Sequence, residues 1–417
     1  MKTKESGALV GLALLCVVGL AARLPARAAQ APKRIKVGTL YAGSGSYATP
    51  SRSQYDGLKF WVHHVNQQGG VYVKAFDRKI PVKLVAYDDQ SSTDTATTLY
   101  NQLITQDHVD ILVSDFGSVL TSVAVPLAQE HHRLLFDVTG TGAQFFTKDN
   151  PYVVLTSLPT SGVWPDQLAA FLKHKSIERV AILYDSNDFD QSQAGTVKRR
   201  LAQAGDKPVY YHAVPSNTSN YTVLLHRIAA EHPDALIEFG YPNNDIAFLQ
   251  ALSSNGLHFR MVFTVFPGQL LDLLRSNVGP AGLAWTYTYP TPPLLRYDKV
   301  NFGMGISAFE QAYHKATGKS VNFLTVAGYN AGLAVQKALN TAPKFTQMSL
   351  RHAMGQASGK MFTLDGRFRI RSDGAQVGET LPVGQFQPRK GEKNNRMVVV
   401  YPPHVATGKA VYPAPGD

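Results

Sequence analysis

An α/β fold of two doubly wound parallel-sheet lobes is what this sequence predicts, and three observations carry it. Short β-rich apolar runs alternate with amphipathic helical stretches. The alternation pauses after residue 136 and begins again at residue 164. The chain has 417 residues, long for one hydrophobic core and comfortable for two.

In order, Ile35–Tyr41 reads as a strand, Gly43–Ser46 as a turn, and Tyr55, Leu58, Trp61, Val62 and Val65 recur at helical spacing. Residues 66–70, rich in Asn and Gly, end that helix. A strand over 82–87, a helix over 93–105, a strand over 111–113, a helix over 121–130 and a strand over 134–136 follow. The second run gives helices over 164–173, 194–204, 221–231 and 245–255, with strands over 180–184, 209–213, 235–239 and 261–264. No sequence repeat relates the two runs, but right-handed crossovers make two similar lobes of them.

Ligands of open parallel sheets sit off the carboxyl ends of the strands. The loops there are 42–50, 114–118, 137–142, 185–190 and 240–244, rich in Gly, Ser, Thr, Asn and Asp. Hydroxyls and free backbone N–H groups suit a small polar or anionic ligand.

The first residues stand apart. Lys2 and Lys4 precede an apolar run from Gly7 to Ala22, and Ala26-Arg27-Ala28 offers small residues for cleavage. This layout predicts a signal peptide over 1–29 and a periplasmic protein. The apolar run is short for a membrane span. The single cysteine, Cys16, lies inside it and follows Leu15 rather than a small residue, so a free protein without disulfides or thiolate chemistry is expected. The net charge is +11, of which Lys2, Lys4, Glu5, Arg23 and Arg27 supply +3, leaving about +8. The basic residues are scattered, which reads as a solvated surface and not as a nucleic-acid footprint.

Several segments together resemble the type I periplasmic solute-binding proteins of the branched-chain amino acid and amide class, Leu/Ile/Val-binding-like, which serve ABC transporters. They are IKVGTLYAGSGSYA, HHVNQQGGV, VAYDD, Asp115-Phe116-Gly117-Ser118 and LLFDVTGTGAQF, then RVAILYDSNDFDQSQAG, HPDALIEFG, NGLHFR, GYNAGLAVQKAL and FTLDGRFRIRSDG. The resemblance implies a three-segment hinge, an N-terminal lobe of 33–157 plus 286–362 and a C-terminal lobe of 158–285 plus 363–417. It also implies that Ser118 donates to a ligand carboxylate, that Thr141 serves carboxylate and ammonium through hydroxyl and backbone, and that the Gly140 carbonyl accepts from the ammonium, with Thr139 in the same loop. Read without the family, Ser118 caps a helix beginning near Thr121 and Gly140 shapes a turn. In the second lobe Phe189 stands where the family often has Tyr, and Asn244 stands where it has the acidic partner of the ammonium, with Asp245 beside it. Asp137 replaces a usual Ser. An amino acid, an amide and a small carboxylic or aromatic acid therefore all stay open as ligand. Tyr47, Phe189 and Tyr241 offer a π-faced wall.

Other chemistries find little footing. Gly43-Ser44-Gly45-Ser46-Tyr47-Ala48 nearly reads as a dinucleotide turn, but the acid it needs falls at Asp88, about twice too far. Gly318-Lys319-Ser320 lacks the first Gly and the strand of a phosphate loop and reads as a helix C-terminus. His63-His64 and His131-His132 are adjacent pairs and share no metal face. No nucleophile elbow occurs. The reading is therefore a monomeric, non-enzymatic solute-binding protein without cofactor or metal, whose partners are a small molecule and an inner-membrane ABC transporter permease. A ligand sensor of the same fold is the alternative, and an enzyme the third.

Overall fold

In the first sheet, four crossover connections set strands β1 (Ile35–Tyr41), β2 (Val82–Asp88), β3 (Ile111–Val113), β4 (Leu135–Asp137) and β5 (Val153–Leu155) in the order β2-β1-β3-β4-β5, all parallel. The computed structural model that shows this describes Met1 and residues 30–415. The signal-peptide segment, Met1 apart, thus lies outside the described residues. Lys33–Asp417 form one compact unit and Met1–Pro32 another. In the latter, Met1 and residues 30–32 carry no helix or strand.

The second sheet repeats the pattern. Strands β6 (Val180–Asp185), β7 (Tyr210–Val214), β8 (Ala235–Phe239), β9 (Val262–Phe263) and β10 (Tyr287–Thr288) take the order β7-β6-β8-β9-β10, parallel throughout. Two antiparallel strands, β11 (Val383–Gln387) and β12 (Arg396–Tyr401), extend it beyond β10. Both sheets are doubly wound, and in each the order reverses next to the first strand, leaving a crevice at its carboxyl end.

Helices α1 (Ala48–Gln67), α2 (Thr93–Thr105) and α3 (Gly117–Glu130) follow the strands of the first lobe. Helices α4 (Asp166–His174), α5 (Asp188–Ala204), α6 (Thr222–Ala230), α7 (Pro242–Ser254) and α8 (Leu271–Leu283) serve the second. Three expected starts move, among them that of α7, which begins at Pro242 and not at Asp245 because proline suits a first helical turn. The α5 helix begins six residues before Ala194, because the Asn187 side chain accepts the Asp190 N–H and caps a first turn too polar to show apolar periodicity. The α3 helix begins at Gly117, so Ser118 lies in its first turn and does not cap it.

The chain then leaves the second sheet for α9 (Ile306–Thr317), α10 (Phe323–Thr341) and α11 (Gln347–Ala357). Gly318 ends α9 in the left-handed conformation, at φ 70. The α10 helix packs on α1 so closely that a Cβ at Gly57 would lie 2.1 Å from the Thr325 carbonyl oxygen, and one at Gly328 would lie 1.9 Å from that of Gln54. Neither backbone can yield without separating the helices. Gly328→Ala is therefore expected to cost about 2–3 kcal/mol, read as a lower urea midpoint; an unchanged midpoint would contradict this contact.

Three segments pass between the sheets. The first leaves β5. The second leaves β10, whose pairing puts Tyr287–Thr288 in the second sheet, so the switch expected at 286 comes after them. The third comes later than the expected 363. Ala375 belongs to the first lobe's core, and the Leu155 N–H donates to the Gly374 carbonyl at 3.0 Å, so residues up to there stay with the first sheet.

Candidate functional site

The loops after β1, β3 and β4 face those after β6 and β8, and the two lobes touch across them. Asn243 Nδ2 donates to the Ser46 carbonyl at 3.3 Å, and Gln144 Nε2 donates to Asp188 Oδ2 at 2.7 Å. The Tyr241 ring, from the second lobe, meets Tyr47 and Phe116 of the first at centroid distances of 5.2 and 5.9 Å. These contacts describe a closed cleft.

Inside it lies a narrow chamber, in which the centre of a water molecule has about 20 Å³ to move, lined by Phe116, Gly117, Thr139, Thr141, Leu158, Trp164, Phe189, Tyr241 and Phe323. No charged side chain lines it. Phe189 sits edge-on to Trp164 at 5.1 Å and tilted against Tyr241 at 5.4 Å, giving a continuous aromatic wall.

Two hydroxyls lack partners here. Thr141 Oγ1 is buried and makes no hydrogen bond. Its backbone is already engaged: the N–H donates to Thr139 and the carbonyl accepts from the Ser161 N–H at 2.8 Å. Only the side chain of Thr141 is thus free, not the backbone the resemblance implied. Tyr241 Oη lies over the first turn of α3, beside the Ser118 and Val119 amides, without a hydrogen bond of good geometry. That approach needs Gly117, at φ 74, where a Cβ would sit 3.0 Å from the phenol oxygen. A helix N-terminus with its donors, a phenol and a threonine hydroxyl is a setting for an anion or a carbonyl oxygen.

The remaining expected residues do other work. Thr139 lines the chamber, but its hydroxyl donates to Gln54 Oε1 at 2.7 Å and accepts the Gly117 N–H at 3.0 Å. Ser118 Oγ accepts the Gly142 N–H at 3.1 Å and ties two loops together. Gly140 is outside the chamber lining; its N–H donates to Asp137 Oδ1, and a Cβ there would meet Thr121 at 2.5 Å. Asp137 is buried, which pushes its carboxyl up to about 7. Tyr47 borders an outer cavity instead, and burial, then Asp190 and Asp185, raises its phenol to about 12.

Neither candidate partner for an ammonium faces the chamber. Asn244 Nδ2 donates to the Ser216 carbonyl and to Tyr221 Oη, both at 3.2 Å, holding its own lobe's loop. Asp245 is fully buried and accepts the Phe266 N–H at 2.6 Å. It belongs to a group of four buried carboxyls with Asp185, Asp190 and Glu238, whose remaining oxygens include several without partners. Burial raises all four; Asp245 reaches about 7 and Asp185, with Asp245 as its next cause, about 8. A protonated Glu238 can donate to Asp245, which lets both stay buried. Among the described residues, no three such side chains are placed to hold a metal ion.

A family model described as periplasmic binding protein matches residues 34–393. The chain belongs to the periplasmic binding protein family. Leu/Ile/Val-binding protein homolog 7 of Brucella abortus (strain 2308) is 22% identical over 404 residues, covering 94% of this chain and 97% of its own. Among solved structures, the substrate-binding protein LivJ of Streptococcus pneumoniae in complex with isoleucine has a TM-score of 0.73 at 16% identity, covering 88% of this chain and 99% of its own. A solute-binding protein of an ABC transporter from R. palustris in complex with benzoate also has a TM-score of 0.73, at 19% identity, covering 92% and 98%.

In this periplasmic binding protein, the expected residues Thr139, Thr141, Phe189 and Tyr241 line the chamber, together with Phe116, Gly117, Leu158, Trp164 and Phe323, which the sequence did not single out as site residues. Phe116 lies in the Asp115–Ser118 segment, where the sequence pattern points to Ser118. Leu158 and Phe323 lie where the chain crosses between lobes or enters α10, and no local pattern marks them.

Proposed function

We propose that this chain is an extracytoplasmic receptor for a small aromatic carboxylic acid without an α-ammonium, which it delivers unchanged, as a monomer, to the permease of an ABC transporter. The observation that carries this is the orientation of Asn244 and Asp245 away from a chamber that holds aromatic rings and no carboxylate. A buried ammonium without a counter-charge is strongly disfavoured. A carboxylate instead has the start of α3, Thr141 Oγ1 and Tyr241 Oη to accept from, and its ring has Phe116, Trp164 and Phe189 to lie against. The relative in complex with benzoate supports this choice. Hinge motion of the three crossing segments opens and closes the cleft, and the closed form is what the permease reads.

Thermal shift of residues 30–417 tests it. Benzoate at about a hundred times its Kd is expected to stabilise the protein by about 2.7 kcal/mol, seen as a rise in Tm, whereas isoleucine at equal concentration leaves Tm unchanged. A shift with isoleucine and none with benzoate would contradict the proposal.

A further inference from the structure

On the solvent side of the Tyr47–Tyr241 contact lies a second and roomier cavity. The centre of a water molecule has about 580 Å³ to move in there, against about 20 Å³ in the inner chamber. Both lobes line it with neutral hydrogen-bonding groups, among them Ser46, Thr93, Asn217, Ser219 and Asn243, and no charged side chain. The side chains of Ser46, Thr93, Asn217 and Ser219 make no hydrogen bond among the described residues, so their donors and acceptors are free for a guest. The helices α1, α2 and α7 all begin at this cavity, with Tyr47, Ser92 and Tyr241 as their N-caps. Their partial positive charge adds tolerance for an anionic end.

The two spaces share Tyr241 as a wall. What divides them is the edge-on contact of Tyr47 with Tyr241. The Tyr47 hydroxyl makes no hydrogen bond among the described residues, so only packing holds its ring in place. Val119, whose amide borders the Tyr241 hydroxyl, lines the outer cavity too. A carbonyl oxygen gripped at the start of α3 therefore lies at the border between an aromatic chamber and a polar one.

Resting on the aromatic-acid reading above, we infer that the preferred ligand is an extended one: an aromatic acyl group whose ring fills the inner chamber and whose short polar tail passes Tyr47 into the outer cavity. The acyl oxygen takes the donors that benzoate would use, and an amide or carboxylate tail meets hydroxyls and amides from both lobes. The tail then bridges the lobes and favours closure beyond what a bare ring achieves.

Calorimetric titration with benzoate and with hippurate (N-benzoylglycine) tests this, on the parent protein and on Thr93→Val and Ser219→Tyr. The first substitution deletes a hydroxyl at constant shape; the second fills the outer cavity from an exposed position. Hippurate is expected to bind about tenfold more tightly than benzoate, because charge-assisted hydrogen bonds to its tail carboxylate outweigh the weaker grip on a neutral acyl oxygen. Thr93→Val should weaken hippurate about fivefold, Ser219→Tyr should weaken it more, and benzoate should be unaffected by either. Hippurate binding more weakly than benzoate, or indifferent to both substitutions, overturns the inference and leaves the compact-acid reading standing. No binding of benzoate, with isoleucine bound, overturns that reading and this inference with it.

Discussion

Thr141→Val is expected to weaken benzoate binding by about 10- to 100-fold, the worth of a hydrogen bond to a charged group. Its hydroxyl is buried, unpaired and in the chamber wall, while its backbone is held by Thr139 and Ser161. The same facts fix the effect on the empty protein. Replacing a hydroxyl that bonds to nothing by a methyl of similar size removes no contact and relieves an unsatisfied group. The Tm without ligand should therefore stay level or rise slightly. Affinity measured by calorimetry and Tm measured on the same sample separate the two: a fall in Tm with unchanged affinity would make Thr141 a packing residue.

Stability should fall as pH rises from 5 to 8.5, opposite to the trend of a protein held by paired carboxylates. Asp245 and Asp137 are raised to about 7 and Asp185 to about 8, each chiefly by burial; Asp190 and Glu238 are raised too. The folded chain thus keeps protons that the unfolded chain releases near pH 4. Between the unfolded and folded values the native state binds more protons, so stability is full below the lower value and is lost as pH climbs through the upper one. At about 1.4 kcal/mol per unit, the loss amounts to several kcal/mol. His64, lowered by burial and then by His63, acts in the other sense within this range, while Asp373, held down by Arg371 against its own desolvation, titrates below it. Melting curves across this range should show Tm dropping by at least about 5 °C. Glu238→Gln, which cannot ionise, should flatten the slope. A Tm that rises steadily over the same range would show that these carboxyls are ionised in the folded protein.

Much of the fold was legible because its signals are local. Alternating strands and helices follow from apolar periodicity, and even the Gly318 helix end follows from its residue type. The pairing order 2-1-3-4-5, seen twice, is one of several that right-handed crossovers allow, and no local signal selects it. The lobe boundaries near 288 and 376 were not legible, since strand pairing by Tyr287–Thr288 and core packing by Ala375 are long-range facts. At the site, residue types were legible but side-chain directions were not. Asn244 and Asp245 follow one another on α7, and both point into their own lobe because the 216–221 loop and the Phe266 N–H need them. Gly140 stands one residue from Thr141, yet it is absent from the chamber wall and its N–H is held by Asp137.

Calorimetry with 3-phenylpropanoate and phenylalanine tests the ammonium-free cleft most directly, because the two differ only in the α-ammonium. With no carboxylate in the chamber, the propanoate should bind and phenylalanine should bind at least about 100-fold more weakly, since its cation would be buried unpaired. Phenylalanine binding as well as the propanoate, or better, would mean that a buried acid turns into the cleft after all.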